Sequence, residues 1–297
     1  MDGILNINKP PGMTSHDVVG YIRRITNIKK VGHTGTLDPD ATGVLPVCIG
    51  RATKIVQFLI NDNKSYRVTL LFGVATNTQD ISGNVVKEVK DFNITQKEIE
   101  NILISYTGDI EQIPPMVSAL RYKGKRLYKL AREGKVVERE ARKITIYKIG
   151  LLAVKLPYVS LEVDCSKGTY IRTLCSDIGD RLGMGACLYD LVRTRAGKFD
   201  LNNAVDLKDI KNIETVKNSL IQMDEALAHL PVIKALSGGI ESLRYGRTLT
   251  ENNISFFPDI FNPSGLYRLY EDESPELLGI VGNVSKEGKT FRIVKWL

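Results

Sequence analysis

Apolar and polar positions change period several times along the chain, and each change marks an element. Ile4 to Asn8 (ILNIN) reads as a short strand. Lys9-Pro10-Pro11-Gly12 ends it, because neither proline can donate to a sheet ladder and Gly12 accepts a positive φ. Thr14 to Asp17 opens a helix, with Ser15 or Thr14 as N-cap and Val18, Val19, Ile22 and Ile25 following at helical spacing. Val44 to Ile49 has the continuous apolar character of a buried strand, and Tyr66 to Val74 has a strand's composition. Residues 95–105 form a helix opened by Thr95, with Glu98 as its capping-box partner. Lys143 to Val154 and Val159 to Cys165 are strand-like. Tyr170 to Gly183 is helical through Ile171, Leu174, Ile178 and Leu182. The turn Ser166 to Gly168 precedes it, so Tyr170 and Arg172 fall in a first helical turn just beyond a strand end, a rim where sites form.

From about Leu230 the texture changes. Leu230 to Gly239 leads into turn-rich, strand-like pieces at Ile254 to Phe257, Gly265 to Tyr270, Leu277 to Val284 and Phe291 to Leu297. These read as a small β domain of roughly 60–70 residues, near the lower limit for an independent core. Strands and helices mix without regular βαβ alternation, so the fold class is α+β. The division expected is residues 1–230 and 231–297. No repeat of solenoid period and no low-complexity stretch interrupts this pattern.

Composition adds little until charge is located. Hydrophobic residues make up 43% and charged residues 25%, an ordinary globular balance. No apolar run approaches the ~20 residues that span a bilayer, and the N-terminus lacks the basic region and cleavage site of a signal peptide. A cytoplasmic location without membrane contact is the expectation. Cys48, Cys165, Cys175 and Cys187 form no CxxC pair and have no histidine at zinc spacing, so they read as buried reduced thiols. The net charge is +7. Between Arg121 and Lys143 ten basic residues meet three acids, a surplus equal to that of the whole chain. From Pro231 onward eight basic residues balance eight acids. A protein near neutral outside one concentrated basic segment points to a polyanionic partner at that segment.

The candidate chemistry lies in Gly32 to Lys54, GHTGTLDPDATGVLPVCIGRATK. Gly32, Gly35 and Gly43 permit tight turns, and Pro39 drives Asp38 out of the α region. Asp38 therefore sits on a constrained loop leading into the core. Read by pattern alone, it either caps a turn or is held for chemistry. The loop lacks the Gly-Lys-Ser/Thr of a phosphate-binding loop. No third ligand accompanies Asp38 and Asp40 at a metal-site spacing, and no nucleophile elbow supplies a serine triad.

Five blocks carry a resemblance: residues 4–19 (ILNINKPPGMTSHDVV), 32–47 (GHTGTLDPDATGVLPV), 64–80 (KSYRVTLLFGVATNTQD), 114–134 (PPMVSALRYKGKRLYKLAREG) and 165–179 (CSKGTYIRTLCSDIG). In this order they resemble the bacterial TruB family, the tRNA pseudouridine-55 synthases, over most of residues 1–200. The resemblance implies a mixed, largely antiparallel central sheet flanked by helices and loops, followed by a PUA-like C-terminal domain. It also implies a cofactor-free isomerisation of one uridine in the tRNA T-arm, for which a monomer with no obligatory protein partner would suffice.

Carried over residue by residue, the resemblance makes Asp38 the catalytic carboxylate and Arg172 the cation that keeps it ionised. Attack on C1′, addition to C6 of the base and abstraction of a ribose proton all remain open as the role of Asp38. Tyr66 matches the family's active-site tyrosine, able to stack on uracil and to help remove the C5 proton. Tyr170 lines the base pocket or supports Arg172. His33 fills the gap left when the target base is flipped out. Asp80 falls near the active site and Lys9 in the first block, both expected to touch substrate. The segment of about 119–143 matches an insertion that closes over the T-arm. There Arg121, Lys123, Lys125, Arg126, Lys129, Arg132 and Arg142 would contact phosphates, with Tyr122 and Tyr128 adding stacking.

Overall fold

The computed structural model describes residues 1–60, 63–258, 265–285 and 289–297. The chain lays down β1 (Gly3–Lys9), α1 (Ser15–Thr26), β2 (Val31–His33), β3 (Thr42–Ile49), α2 (Val56–Leu59) and β4 (Lys64–Phe72). A hairpin of β5 (Val74–Thr76) and β6 (Val85–Glu88), then α3 (Gln96–Ile104) and β7 (Gly108–Gln112), follow. A second hairpin, β8 (Arg121–Tyr122) and β9 (Lys125–Arg126), leads through α4 (Leu127–Arg132) into the long β10 (Arg142–Lys155) and β11 (Tyr158–Cys165). After α5 (Ile171–Arg181) come β12 (Ala186–Ala196), β13 (Phe199–Asp200) and β14 (Val205–Asp206).

Ten of these strands build one sheet in the order β14-β1-β3-β12-β4-β11-β10-β7, with β13 on β12 and β2 on β3, while β5–β6 and β8–β9 stand apart as two-stranded hairpins. Only β1–β14 and β3–β12 pair in parallel, so the sheet is mixed and largely antiparallel. Helix α1 begins where expected: the Thr14 hydroxyl accepts from the Asp17 amide at 3.1 Å, and the Asp17 carboxylate accepts from the Thr14 amide at 2.9 Å. Such a cap contributes about 1 kcal/mol. Thr95 and Glu98 repeat the device at α3.

One face of the sheet is covered by Val18, Val19 and Ile22 of α1 and Ile171, Leu174 and Ile178 of α5, packed on Leu5, Leu45, Val68 and Leu161. Each fully buried side chain of this size contributes roughly 1.5–3 kcal/mol. On the other face Ile4, Val44 and Cys48 meet Ile55, Leu59, Phe199 and Ile280.

Ile280 belongs to a second sheet. After α6 (Ile213–Asn218) and α7 (Met223–Ala226), the chain forms β15 (Val232–Ala235), α8 (Ser237–Arg244), β16 (Leu249–Thr250) and β17 (Ile254–Phe256). It ends in β18 (Leu266–Glu271), β19 (Leu277–Asn283) and β20 (Thr290–Trp296). The six strands run β16-β20-β19-β18-β15-β17 around Ile233, Tyr267, Leu269, Val281 and Phe291. Asp224 of α7 ties this sheet back through contacts from Arg268 and Tyr270. No helix among the described residues is long and apolar enough to cross a membrane.

Several elements stand where no strand or helix was expected, β12 and α8 among them. β12 lies at the centre of the large sheet, between β3 and β4. Its sequence carries Asp190, Arg193 and Arg195, and a register shift between Leu188 and Asp190 interrupts its alternation. Helix α8 occupies a stretch holding two glycines; burial of Ile240 and Leu243 outweighs their poor propensity.

Candidate active site

Asp38 lies between β2 and β3, and the peptides on both sides of it are clamped. Before it, the Ser15 hydroxyl accepts from the Leu37 amide at 2.8 Å and donates to the Leu37 carbonyl at 3.1 Å. After it, the Pro39 carbonyl accepts from Lys9 Nζ at 2.8 Å and from the Gly12 amide at 3.0 Å. The start of α1 and the end of β1 thus hold the loop from one side.

From the other side comes Arg172, in the first turn of α5 and only 5% exposed. Its Nε reaches Asp38 Oδ2 at 2.9 Å and its Nη2 donates to Asp38 Oδ1 at 3.5 Å, a two-pronged contact that suits guanidinium and carboxylate. Nη1 contacts Asp80 Oδ2 at 3.4 Å, and Nη2 also donates to the Val117 carbonyl at 2.8 Å. No side chain caps α5. Instead the buried Gln112 of β7 brackets Tyr170, accepting from its amide at 2.8 Å and donating to its carbonyl at 3.1 Å. Arg172 therefore projects from a helix start fixed to the sheet.

Burial pushes the Asp38 carboxyl above the ordinary carboxylate range, while the Arg172 charge pulls it back down. Asp80 has its other oxygen filled by the Thr78 hydroxyl at 2.7 Å and the Ser82 hydroxyl at 2.6 Å. Its carboxylate is held by Arg172 and by its own turn, and so braces the cation beside Asp38.

Asp38, Tyr66, Tyr170, Arg172 and Arg142 line one cavity of about 610 Å³, with Leu191, Lys143 and Lys167 also on its wall. Tyr66 enters from β4, directly across the ladder from Arg193 of β12. Burial raises the proton affinity of its hydroxyl and the Arg193 charge draws it back down, while Arg193 itself donates to the carbonyls of Val44 and Gly35 at 2.7 and 3.1 Å. Arg193 escaped the sequence reading, because an arginine in an inward strand position reads as solvent-facing. The signal available was its place two residues after Leu191 in a period of two.

Several expected contacts fall elsewhere. Lys9 is fully buried, and its Nζ donates to the carbonyls of Pro10, Met13 and Pro39 at 2.7–2.8 Å. It does not face RNA; its short distance from the loop in space makes it a brace, and desolvation lowers its pKa to about 8. His33 ends β2 outside the cavity wall. Its Nδ1 accepts from the Gly35 amide at 3.3 Å, and burial lowers its pKa, which keeps the ring neutral.

Arg121, Lys123, Lys125, Arg126, Lys129 and Arg132 are exposed on the β8–β9 hairpin and α4, and none of them lines the Asp38 cavity. Leu127 and Leu130 anchor α4 beneath them, and Tyr128 lies between Arg126 and Arg132, 6.0 and 5.6 Å from its ring centre. Arg142 borders both the Asp38 cavity and a second one beside this hairpin. The four cysteines are buried and unpaired; burial lifts Cys48 to about 12 and Cys165 to about 11.

A family model described as "TruB family pseudouridylate synthase (N terminal domain)" matches residues 23–171, and one described as "tRNA pseudouridylate synthase B C-terminal domain" matches residues 172–234. The chain belongs to the TruB family. The two TruB matches meet within α5, between Ile171 and Arg172, so their boundary cuts through the site rather than between the sheets. The tRNA pseudouridine synthase B of Clostridium tetani is 46% identical to this TruB chain over 297 residues, covering 100% of both chains. That of Alkaliphilus oremlandii is 43% identical, covering 100% of this chain and 99% of the relative. Among solved structures, a Cbf5-Nop10-Gar1 complex matches with a TM-score of 0.76 at 27% identity, covering 99% of this chain and 84% of that one. An H/ACA RNP bound to a substrate RNA containing 2′-deoxyuridine matches with a TM-score of 0.75 at 25% identity, with the same coverage.

Proposed function

We propose that this chain makes pseudouridine at position 55 of tRNA, the reaction of its family, with Asp38 as the catalytic carboxylate. The observation that carries the residue assignment is the two-pronged Arg172–Asp38 contact on the wall of a cavity shared with Tyr66. The C1′–N1 bond breaks, the base turns, and C5 bonds to C1′; C5 gives up its proton and N1 ends with one. Nothing is oxidised and no group leaves, so the chemistry asks for an ionised carboxylate, a fixed ribose and a shaped base pocket. Arg172 keeps Asp38 ionised in a partly desolvated place. Tyr66 and Tyr170 border the base, and the target uridine must be flipped out of its loop to reach them. One chain supplies every group, which supports action as a monomer without a protein partner, in the cytoplasm where tRNA is used.

The test is a mass-neutral assay of pseudouridine in a T-arm stem-loop treated with the purified protein. One uridine per molecule becomes pseudouridine. Free uracil in the mixture would mark a glycosylase instead, and salt-dependent binding with no product would mark an RNA-binding protein that lacks the reaction.

The exposed basic segment is assigned to RNA phosphates. Replacing Lys123, Lys125 and Lys129 by Gln weakens stem-loop binding and lowers the slope of log affinity against log salt by about 2–3. The single-turnover rate at saturating RNA stays near wild type, since none of the three borders the Asp38 cavity. An unchanged salt slope would remove the segment from the interface.

A further inference from the structure

Gln112 is the last residue of β7, the edge strand of the large sheet, and stands opposite Arg142 of β10. The strand stops there because Pro114 and Pro115, just beyond, cannot donate to a ladder. Its side chain turns inward, and the residue is 2% exposed. A buried carboxamide needs partners for both its oxygen and its N–H groups. Gln112 finds both on one residue: Oε1 accepts from the Tyr170 amide at 2.8 Å, and Nε2 donates to the Tyr170 carbonyl at 3.1 Å. The backbone leaves no choice of orientation, since an amide only donates and a carbonyl only accepts. The side chain thus does for Tyr170 what a neighbouring strand would do.

Tyr170 is the N-cap residue of α5, and its own side chain makes no cap. Its carbonyl also receives the first helical bond, from the Leu174 amide at 3.1 Å. Two residues on, Arg172 reaches Asp38. The chain that leaves Gln112 grips α5 a second time, because the Val117 carbonyl accepts from Arg172 Nη2 at 2.8 Å. One short segment therefore holds the helix start at its backbone and at the guanidinium. The tolerance is small. A turn of about 10° at the helix start moves a side-chain tip about 5–6 Å from the axis by about 1 Å. A displacement of about 1 Å at a catalytic group can cost on the order of 10²-fold.

We infer that Gln112 is a positioning residue for the reaction: its carboxamide ties the first turn of α5 to the sheet edge and so keeps the Arg172 guanidinium seated on Asp38. This rests on the pseudouridine reading above. Gln112 is not on the wall of the Asp38 cavity, so it acts through Arg172 and not on substrate. The Arg172 charge lowers the Asp38 pKa against the effect of burial. A loosened guanidinium lowers it less, and Asp38 then takes up its proton at a higher pH.

Gln112→Met keeps most of the side-chain bulk and removes both bonds. Single-turnover rates at saturating stem-loop RNA are measured across pH for wild type, Q112M, Arg172→Met and the two combined. Q112M lowers the rate at neutral pH about tenfold or more and moves the acid limb to higher pH. With methionine at 172 the same change costs about twofold or less and leaves the limb in place. A rate near wild type, a loss equal at every pH, or equal losses in both backgrounds overturns the inference and leaves Gln112 as general support for the fold.

If Q112M shows no cooperative melt, Gln112→Glu decides. The protonated acid offers a carbonyl and an O–H and can make both bonds, whereas the carboxylate only accepts and repels the Tyr170 carbonyl. The rate of Q112E relative to wild type therefore falls as the glutamate ionises, and methionine at 172 abolishes that fall. A ratio that stays constant with pH overturns the inference. Absence of pseudouridine with wild type sinks the reaction and this inference together, whereas product with an unmoved acid limb in Q112M sinks the Gln112 inference alone.

Discussion

Asp38→Asn removes pseudouridine formation, a loss on the order of 10⁴-fold or more, while affinity for a T-arm stem-loop stays within about twofold. The asparagine keeps the shape and the hydrogen-bonding reach toward Arg172 but can neither attack carbon nor take a proton. The Leu37 and Pro39 clamps do not involve the side chain, so the loop keeps its path. Stability is expected to hold or rise. Folding raises the Asp38 pKa, so its ionisation at neutral pH works against the folded state, and a neutral replacement removes that cost. The checks are product analysis, a binding titration and a thermal melt on one preparation. Turnover near wild type would take the reaction away from Asp38. A lowered melting temperature with lost binding would show instead that the substitution broke the loop.

Arg172→Met carries the second-largest expected effect, a loss of roughly 10²–10³ in single-turnover rate at neutral pH. Without the guanidinium, Asp38 and Asp80 face one another across a partly desolvated gap. Burial already raises the Asp38 pKa, and loss of the cation that lowers it raises it further. The reaction needs the ionised form, so the acid limb of the rate–pH profile moves to higher pH, and part of the lost rate returns as pH rises. A profile that keeps its wild-type position would show that Arg172 acts only as a strut for Val117 and the 78–82 turn. The variant also loses stability, by less than the roughly 3–5 kcal/mol of a fully buried pair, because Asp38 remains partly open to water. Arg172→Lys falls between: a point charge keeps some of the electrostatic benefit and cannot span two carboxylates and the carbonyls of Val117 and Thr78.

Much of this geometry was legible in the sequence where local chemistry decides it. The Thr95 cap, the strand at Val44–Ile49 and the first-turn placement of Arg172 each follow from a few adjacent residues and stand as read, and of the two caps offered for α1, Ser15 and Thr14, the helix uses Thr14. The family resemblance brought Asp38, Tyr66 and Arg172 together from positions far apart in the chain. What escaped depends on partners distant in sequence. β12 has too many charges to read as a central strand, and only the carbonyls of Gly35 and Val44, with Tyr66, make a buried arginine acceptable there. Lys9 misled for the same reason. It was expected to touch substrate, yet three backbone carbonyls converge on it inside the fold. Asp80 was placed near the site correctly, but its partner lies 92 residues away, and no local pattern names it.

The clasp that Arg193 forms between Gly35 and Val44 also bears on how this protein can vary. Surface loops usually accept extra residues, since the entropy of closing a longer loop rises only slowly with its length. The Asp38 loop is closed twice over: one rigid guanidinium fixes the spacing of its ends, and Ser15 and Lys9 pin the peptides beside the aspartate. At its exit Gly43 pairs so closely with Arg193 that a Cβ there would meet the partner's backbone. An added residue has nowhere to bulge without releasing one of these ties. The loop's length is thus fixed by the same ties that hold its carboxylate, and insertions are expected to be better tolerated in the β5–β6 and β8–β9 hairpins.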